Sequence, residues 1–319
     1  MSDSSPDEIL WNLLRGALGT RALAIVADLG VADALADGPR PVAELATERR
    51  ADAETLHRLL RALASDGVFA ETEPGVFGNT EASERLRRSG GWNDFAHLFG
   101  GVFYRAVADL DGSGEPSFPR AYGIDFWPWL SEHPDERAAF DRAMGQDKEH
   151  RLEPLEPVEW RGDEIVVDVG GGNGSLLIEL VRAQPGLRGV VLDLPETVRD
   201  EAALGPRIDF VEGDFFRSVP EGGDVYVLAK ILHDWNDESA AAILRTIRAA
   251  APAGARLLLI DTVLPLGNEP AGAKWLDLLM LTLAGGKERS EAQWRELLEA
   301  GGFEPVRFHE ALIEAVPRR

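Results

Sequence analysis

A turn with three alternating glycines is the clearest chemical signal in this sequence. Gly170, Gly172 and Gly174 follow an apolar run that contains Asp168, in the letters VVDVGGGNG. Glycines let a ligand approach the backbone closely, and a helix that begins after such a turn presents free N–H groups. The segment therefore predicts a binding site where a buried strand meets a helix.

The spacing of the glycines distinguishes two classes of cofactor. In the dinucleotide fingerprint G-x-G-x-x-G the third small residue would be Ser175 here, so the fit to a nicotinamide cofactor is imperfect. The G-x-G-x-G spacing agrees better with enzymes that bind S-adenosylmethionine (SAM). Asp193 ends the next predicted strand, where an acid can accept both ribose hydroxyls. Asp214 and Phe215 follow a third strand and can offer an acceptor and an aromatic face to adenine.

His233 is the candidate general base. It lies just after the predicted strand 224–229, at the edge of the sheet where open α/β folds bind ligands. If the cofactor is SAM, the reaction expected is methyl transfer, an in-line displacement in which the protein must chiefly hold the acceptor close and in line. A phenol has a pKa of about 10 and is a poor nucleophile at neutral pH, so an imidazole that takes its proton would help.

The composition disfavours several classes of protein. The chain has 319 residues and no cysteine, which removes disulfides, iron–sulfur clusters, thiolate zinc sites and cysteine nucleophiles. Its 55 acidic and 33 basic residues give a net charge of −22, which disfavours binding to nucleic acid or anionic lipid. The N-terminus is polar and acidic, and no apolar run suggests a membrane span, so we expect a cytoplasmic protein without membrane contact.

Alternating strands and helices over residues 160–319 must position these groups. Strands are predicted at 165–169, 189–192, 208–212, 224–229 and 256–262, and helices at 174–183, 237–250 and 290–300. Such βα units predict a Rossmann-like α/β fold with a mostly parallel sheet. The last two strands, 305–310 and 311–316, are close enough in sequence to pair antiparallel.

The N-terminal part, residues 1–90, is mostly helical. Apolar residues recur at helical spacing in two helices, 9–18 and 20–29, and Asp52 is placed to cap a later helix. Two short β-rich pieces follow, and the order helix, turn, helix, hairpin is typical of a winged helix. Between this part and the sheet, residues 91–159 form a helical, aromatic-rich segment that ends in a linker at 153–159.

A flat apolar pocket is predicted from side chains of the aromatic-rich segment and one later residue. Pockets that bind small molecules are mostly apolar with a few polar groups. Aromatic residues at helical spacing, however, also occur in hydrophobic cores. The candidates are Tyr104, Trp127, Phe140, Met144 and Met280.

Several motifs together resemble one enzyme family. The segments DVGGGNG, LDLPETV, GDFF, KILHDWNDE and GGKERS occur in this order and resemble the small-molecule O-methyltransferases of the plant caffeic-acid and bacterial natural-product type. The resemblance covers nearly the whole chain. It implies a SAM-binding catalytic domain after a winged-helix dimerisation domain, and therefore a homodimer that acts on a small aromatic acceptor.

The resemblance also implies roles for single residues. His233 would deprotonate the acceptor, held by Glu288 and Asp261. Glu288 is the favoured partner, because plant relatives have the longer Glu at the position of Asp261. Met144 resembles the methionine that packs near the transferred methyl group, and no metal is expected. The residues assigned to SAM, or to its product S-adenosylhomocysteine, are Asp168, Gly170, Gly172, Gly174, Asp193, Leu194, Asp214, Phe215, Lys230 and Trp235.

The sequence thus predicts a SAM-dependent O-methyltransferase. Transfer to nitrogen, or another SAM-assisted reaction on the same fold, stays open as an alternative. The alternative of an NAD-dependent oxidoreductase is supported only by the glycine turn and Asp193. The alternative of a DNA-binding regulator is supported only by the winged helix. Its Arg58 and Arg61 lie in a strongly acidic chain, which is a poor match for a phosphate backbone.

Overall fold

The chain folds into two compact units. The computed structural model describes residues 5–145, 151–195, 197, 204–309 and 311–318. The first unit comprises Met1–Asp109 and Glu132–Gln146, and the second comprises Leu110–Ser131 and Asp147–Arg319. The aromatic-rich segment 91–159 is therefore shared between the two units.

The described helices and strands are numbered in chain order. The helices are α1 (Pro6–Asp28), α2 (Val31–Ala34), α3 (Val42–Arg49), α4 (Ala53–Ser65), α5 (Glu81–Glu84), α6 (Trp92–Gly100), α7 (Val102–Ala108), α8 (Phe118–Tyr122), α9 (Phe126–Glu132), α10 (Pro134–Met144), α11 (Ser175–Ala183), α12 (Asp237–Ala250), α13 (Gly272–Ala284) and α14 (Glu291–Ala300). The strands are β1 (Arg40–Pro41), β2 (Phe69–Glu73), β3 (Val76–Asn79), β4 (Ile165–Val169), β5 (Arg188–Asp193), β6 (Ile208–Glu212), β7 (Val225–Ala229), β8 (Arg256–Ile260), β9 (Phe303–Phe308) and β10 (Ile313–Pro317).

Helix α1 is a single helix, so the prediction of two helices over 9–29 was wrong. A capping box starts it: the Ser5 hydroxyl accepts from the Glu8 N–H, and the Glu8 carboxylate accepts from the Ser5 N–H. Among the described helices, α1 alone is long and apolar enough to cross a bilayer by length and composition. It nevertheless carries Arg15 and Arg21, and charges inside a membrane are costly.

Helix α4 and the hairpin β2–β3 agree with the sequence pattern. Asp52 caps α4 by accepting from the Thr55 N–H at 2.8 Å, as predicted. Leu56, Leu60 and Leu63 on one face of the helix are buried. Strands β2 and β3 pair antiparallel, and β1 joins β3 to complete a three-stranded sheet.

The second unit is built on a seven-stranded sheet of order β6-β5-β4-β7-β8-β10-β9. Strands β4 to β8 are parallel and β10 is antiparallel to both of its neighbours, which confirms the predicted Rossmann-like fold. Both faces of the sheet are covered by hydrophobic clusters. The chain passes from β4 to β5 on one side and later adds β7 on the other, so the switch point where such sheets bind ligands lies at the carboxyl end of β4.

Two segments of the second unit differ from the sequence prediction. Helix α13 was missed because it is apolar on nearly all sides, so no single stripe marks it: Trp275 is 66% exposed, whereas Met280 and Leu283 are buried. The predicted linker 153–159 is also part of the packed structure, since Leu155 and Val158 are buried in the hydrophobic cluster beside β4.

Candidate active site

The glycine turn after β4 is shaped by left-handed backbone conformations. Gly170, Gly172 and Gly174 have φ angles of 73°, 58° and 78°, which side-chain-bearing residues rarely adopt. The N–H of Gly170 donates to the carbonyl of Leu192 at 2.8 Å, which ties the turn to β5. A side chain at Gly172 would meet nothing within 4 Å, so open space lies beside the turn.

Asp168 lies directly beneath this turn. Its side chain is buried, and neither carboxylate oxygen has a hydrogen-bond partner in the part of the chain that the structure describes. A Cβ at Gly171 would lie 2.5 Å from this carboxylate, so the backbone passes very close to it. Burial, with a contribution from the charge of Asp193, raises the pKa of Asp168 to about 7.

The carboxylate of Asp193 organises the end of β5. One oxygen accepts from the Gly172 N–H at 2.7 Å, and the other accepts from the Leu194 N–H at 2.7 Å and from the Thr197 hydroxyl. Strand β5 and the glycine turn are therefore joined through a side chain that the sequence analysis assigned to the cofactor.

Aromatic rings gather at the ends of β6 and β7. Asp214 accepts from the Phe216 N–H at 2.9 Å and shapes the turn that presents Phe215 and Phe216. Both rings meet Trp235 edge-on, with centroids 6.1 and 4.8 Å away. Trp127 lies nearly parallel to Trp235, with ring centroids 6.4 Å apart. Phe216 and the pairing of Trp127 with Trp235 were not predicted.

His233 sits in a short 3-10 turn, Leu232–Asp234, just after β7. Its Nδ1 lies 2.7 Å from Glu288 Oε1, the partner that the sequence analysis favoured, and 3.6 Å from Asp261 Oδ1. Its Nε2 lies 3.6 Å from Asp234 Oδ1. Burial alone would lower the pKa of His233, but Asp261, Asp234 and Glu288 outweigh it and raise the pKa to about 9.

Asp261 lies between the imidazole of His233 and the ammonium group of Lys230. Asp261 is buried, and this burial raises its pKa. Lys230 Nζ lies 3.9 Å from Asp261 Oδ1 and donates to the Thr262 hydroxyl at 2.8 Å. Lys230 has a φ of 57°, a conformation that a lysine adopts only where the surrounding structure holds it.

The acidic residues around the imidazole have different local tasks. Asn236 caps the next helix, because its side chain accepts from the Ser239 N–H, and Asp234 is left beside the imidazole. Asp277, on the unpredicted helix α13, accepts from the Glu288 N–H at 2.8 Å. No sequence signal pointed to Asp277, since its helix was not predicted.

The same histidine and two acids have the composition of a metal site. Ligand atoms of His233, Asp261 and Glu288 all lie within 4.8 Å of one another. In this arrangement Nδ1 of the imidazole and the nearest carboxylate oxygen are hydrogen-bonded to each other, so the observed contact is that of a positioned base.

The pocket candidates are divided between the two units. Trp127 and Met280 belong to the second unit, and Met280 is buried while Trp127 packs beside Trp235. Tyr104, Phe140 and Met144 belong to the first unit, where the side chain of Met144 is 51% exposed.

Comparison with known proteins identifies the enzyme class. Residues 104–304 match the family described as the O-methyltransferase domain, and residues 11–89 match the O-methyltransferase dimerisation domain. The chain belongs to the O-methyltransferase family. Membership makes this protein an enzyme and favours methyl transfer over the oxidoreductase and DNA-binding alternatives.

Individual relatives of this O-methyltransferase match over nearly its whole length. It is 38% identical to the phenazine O-methyltransferase PhzM of Lysobacter antibioticus, over 97% of this chain and 96% of the relative. The crystal structure of LaPhzM superposes with a TM-score of 0.92, covering 98% of this chain and all of that one. An O-methyltransferase from neocarzinostatin biosynthesis was solved with S-adenosyl-L-homocysteine and 1,4-dihydroxy-2-naphthoic acid. It is 36% identical, with a TM-score of 0.79 over 93% of this chain and 95% of its own.

The buried Asp168 generates a prediction about stability. Its pKa of about 7 exceeds the ordinary value of 3.8, so between about pH 4 and pH 7 the folded protein holds a proton that the unfolded chain has lost, and stability falls as pH rises over this range. Asp168→Asn removes this buried charge. We expect it to raise the free energy of unfolding at pH 8 by roughly 1–4 kcal/mol and to raise it by a clearly smaller amount at pH 5.

Urea denaturation at the two pH values measures this difference. Asp209→Asn, a substitution of an exposed aspartate on β6, is the matched control and should behave alike at both. An equal effect of Asp168→Asn at pH 5 and pH 8 would contradict the buried charge.

Proposed function

We propose that this O-methyltransferase transfers a methyl group from SAM to a hydroxyl of a small aromatic natural product. In this proposal His233 is the general base and Glu288 holds it. The observation that carries the proposal is the 2.7 Å contact between Nδ1 of a buried imidazole and a buried carboxylate, at the end of β7 beside the glycine turn.

The residues around the glycine turn suit SAM. When bound, SAM supplies a methyl group on a positively charged sulfur that already carries its leaving group. Asp168 offers a buried carboxylate without a partner among the described residues, which suits an ammonium group. Asp193 would take the ribose hydroxyls, while Phe215 and Trp235 would face adenine. The neocarzinostatin enzyme solved with S-adenosyl-L-homocysteine supports SAM as the cofactor.

The contacts of His233 suit proton transfer. A carboxylate on Nδ1 favours the tautomer with a proton on that nitrogen, which leaves Nε2 to accept the proton of the acceptor. The acids around the ring then stabilise the imidazolium that forms. A pKa of about 9 brings the base near the pKa of a phenol, about 10, so proton transfer between them is nearly balanced.

The acceptor is proposed to be flat and aromatic. In the second unit, Trp127 and Met280 are the side chains proposed to contact it. Tyr104, Phe140 and Met144 belong to the first unit and stay candidates on the sequence alone. Two relatives support this class of acceptor: one is named a phenazine O-methyltransferase, and the other was solved with 1,4-dihydroxy-2-naphthoic acid. Mass spectrometry of a copurified ligand would identify the acceptor, and a methylated nitrogen in the product would favour the alternative reaction.

We also propose that the first unit makes a homodimer. Its match to the dimerisation domain covers residues 11–89, and its helix–helix–hairpin order is interpreted as a winged helix used for this purpose. Large apolar side chains on α1 are exposed by 51–74% in the single chain: Ile9, Leu10, Trp11, Leu13, Leu14 and Leu18. A monomer rarely leaves such a patch uncovered. A cytoplasmic location stays a prediction.

Removal of the base should slow chemistry more than binding. We expect His233→Ala to lower kcat by about 10²–10⁴-fold while SAM affinity changes little, because general-base catalysis contributes in that range. For the wild type, kcat/KM should rise with pH up to about 9, as the imidazole loses its proton. Steady-state kinetics against pH and calorimetry with SAM measure these effects.

The control for this prediction is His309→Ala, which removes an imidazole far along the chain on the same unit. It should leave kcat unchanged. Near-normal turnover of His233→Ala at pH 7 on the true acceptor would sink the base assignment and leave the methyltransferase assignment intact.

Loss of the acid at the end of β5 should weaken the cofactor. We expect Asp193→Ala to reduce SAM affinity by about 1.5–3 kcal/mol, the usual loss for hydrogen bonds to a charged group. Asp209→Ala is the matched control on β6. Calorimetry that finds unchanged SAM affinity for Asp193→Ala would remove this residue from the site.

The oligomeric state can be measured directly. Light scattering at micromolar concentration should report about twice the 34.7 kDa of one chain. Leu14→Glu and Leu18→Glu together should reduce the mass to that of one chain, because they place charges on the exposed apolar face of α1. A wild-type mass of one chain would contradict the homodimer.

A further inference from the structure

Arg289 is a fully buried cation that the proposed reaction leaves without a task. It follows Glu288 in the motif GGKERS, and its side chain is 0% exposed. A buried guanidinium is costly unless nearly all of its donors are satisfied by well-placed acceptors. The identity of those acceptors therefore indicates what this residue holds in place.

The guanidinium binds the turn that carries His233 on both sides of the histidine. Nη1 donates to the carbonyl of Leu232 at 2.8 Å, and Nη2 donates to the carbonyl of Trp235 at 2.7 Å. Nε donates to the Asp237 carboxylate at 2.9 Å. One planar group thus joins three points within the six-residue stretch 232–237, and the geometry of these donors is rigid.

The backbone around Arg289 brings the same turn close to Glu288. The Lys287 N–H donates to the carbonyl of His233 at 2.9 Å, and a Cβ at Gly286 would lie only 2.1 Å from that oxygen. On the other side, the carbonyl of Arg289 accepts from the Leu264 N–H at 2.8 Å. The segment 286–289 is therefore fixed between the turn after β7 and the chain after β8.

We propose that Arg289 is a positioning residue: its contacts to Leu232, Trp235 and Asp237 set the distance between the His233 imidazole and the Glu288 carboxylate. The effect of Arg289 on the reaction rate rests on the proposed function of His233. Its effect on the pKa of the imidazole does not, because the free enzyme already contains every group involved.

A lysine cannot reproduce this arrangement. Its ammonium is a single point on a flexible stem, whereas the guanidinium donates from three nitrogens in one plane. Arg289→Lys retains the buried charge and a comparable volume but loses the simultaneous contacts to the two carbonyls. The turn would then be free to shift against Glu288, and a displacement of about 1 Å at a catalytic group can cost about 10²-fold in rate.

NMR titration of the free enzyme tests the proposal without cofactor or acceptor. The imidazole signals of His233 are assigned by comparison with His233→Gln. The wild-type pKa should be about 9. In Arg289→Lys the pKa should fall by about one unit or more toward 6.5, since the carboxylates raise it only at close range. Arg295→Lys, at a half-exposed arginine paired with Glu291, is the control and should leave it unchanged.

A second variant covers the case in which Arg289→Lys does not fold. Asp237 is 56% exposed, and Asp237→Asn removes the only carboxylate bound by the guanidinium among the described residues while leaving Arg289 in place. It should lower the pKa of His233 in the same direction by a smaller amount. An unchanged His233 titration in folded Arg289→Lys, or in Asp237→Asn if the lysine variant does not fold, overturns the proposal.

Failure of the proposed function can be distinguished from failure of the positioning role of Arg289. If the wild type showed no methyl transfer, while His233 titrated at about 9 and fell in Arg289→Lys, the positioning role would stand without the catalytic one. If both hold, Arg289→Lys should also lower kcat by about 10²-fold with little change in KM for SAM.

Discussion

The positions of three loops in the second unit depend on a buried hydrogen bond between the His233 imidazole and the Glu288 carboxylate. Glu288 is 2% exposed and His233 is 7% exposed, so neither charge is solvated by water and each depends on protein groups. The arrangement requires Glu288 and Asp261 on one side of the ring, the Asp277 side chain behind the Glu288 backbone, and Arg289 behind the turn. Three loops, after β7, after β8 and after α13, are therefore joined at one point, and none of them can shift without disturbing the base.

The sheet explains why this cluster stands beside the cofactor site. Parallel strands β4, β5, β6 and β7 end at one edge, and each end contributes a group with a separate task. Asp168 keeps a buried carboxylate beneath the glycine turn, and Asp193 joins that turn to β5. Trp235, after β7, contacts the two phenylalanine rings that follow β6. Two different electrostatic environments result: an acid whose pKa is raised by burial, and a histidine whose pKa is raised by neighbouring acids.

Sequence patterns predicted the parts of this account that depend on local chemistry. The glycine turn, the cap at Asp52, the strands β4 to β8 and the family membership all follow from motifs and periodicity, and the preference for Glu288 over Asp261 agrees with the shorter distance to the imidazole. The rest depends on contacts between distant segments. Asp277 was missed because α13 is apolar on nearly every side, and the task of Arg289 appears only when the chain brings residue 289 against residues 232–237. The tasks of the five pocket candidates stay predictions, because aromatic spacing alone does not distinguish a core from a pocket.

The contact between His233 and Glu288 is the central claim, and proton NMR of the imidazole in wild type and Glu288→Gln tests it most directly. In the wild type, the proton on Nδ1 should give a strongly deshielded, slowly exchanging signal, and the ring should titrate at about 9. In Glu288→Gln the signal should move upfield and the pKa should fall toward 6.5, because a neutral amide stabilises the imidazolium less than a carboxylate does. A wild-type ring that titrates at about 6.5, with no change in Glu288→Gln, would contradict the account.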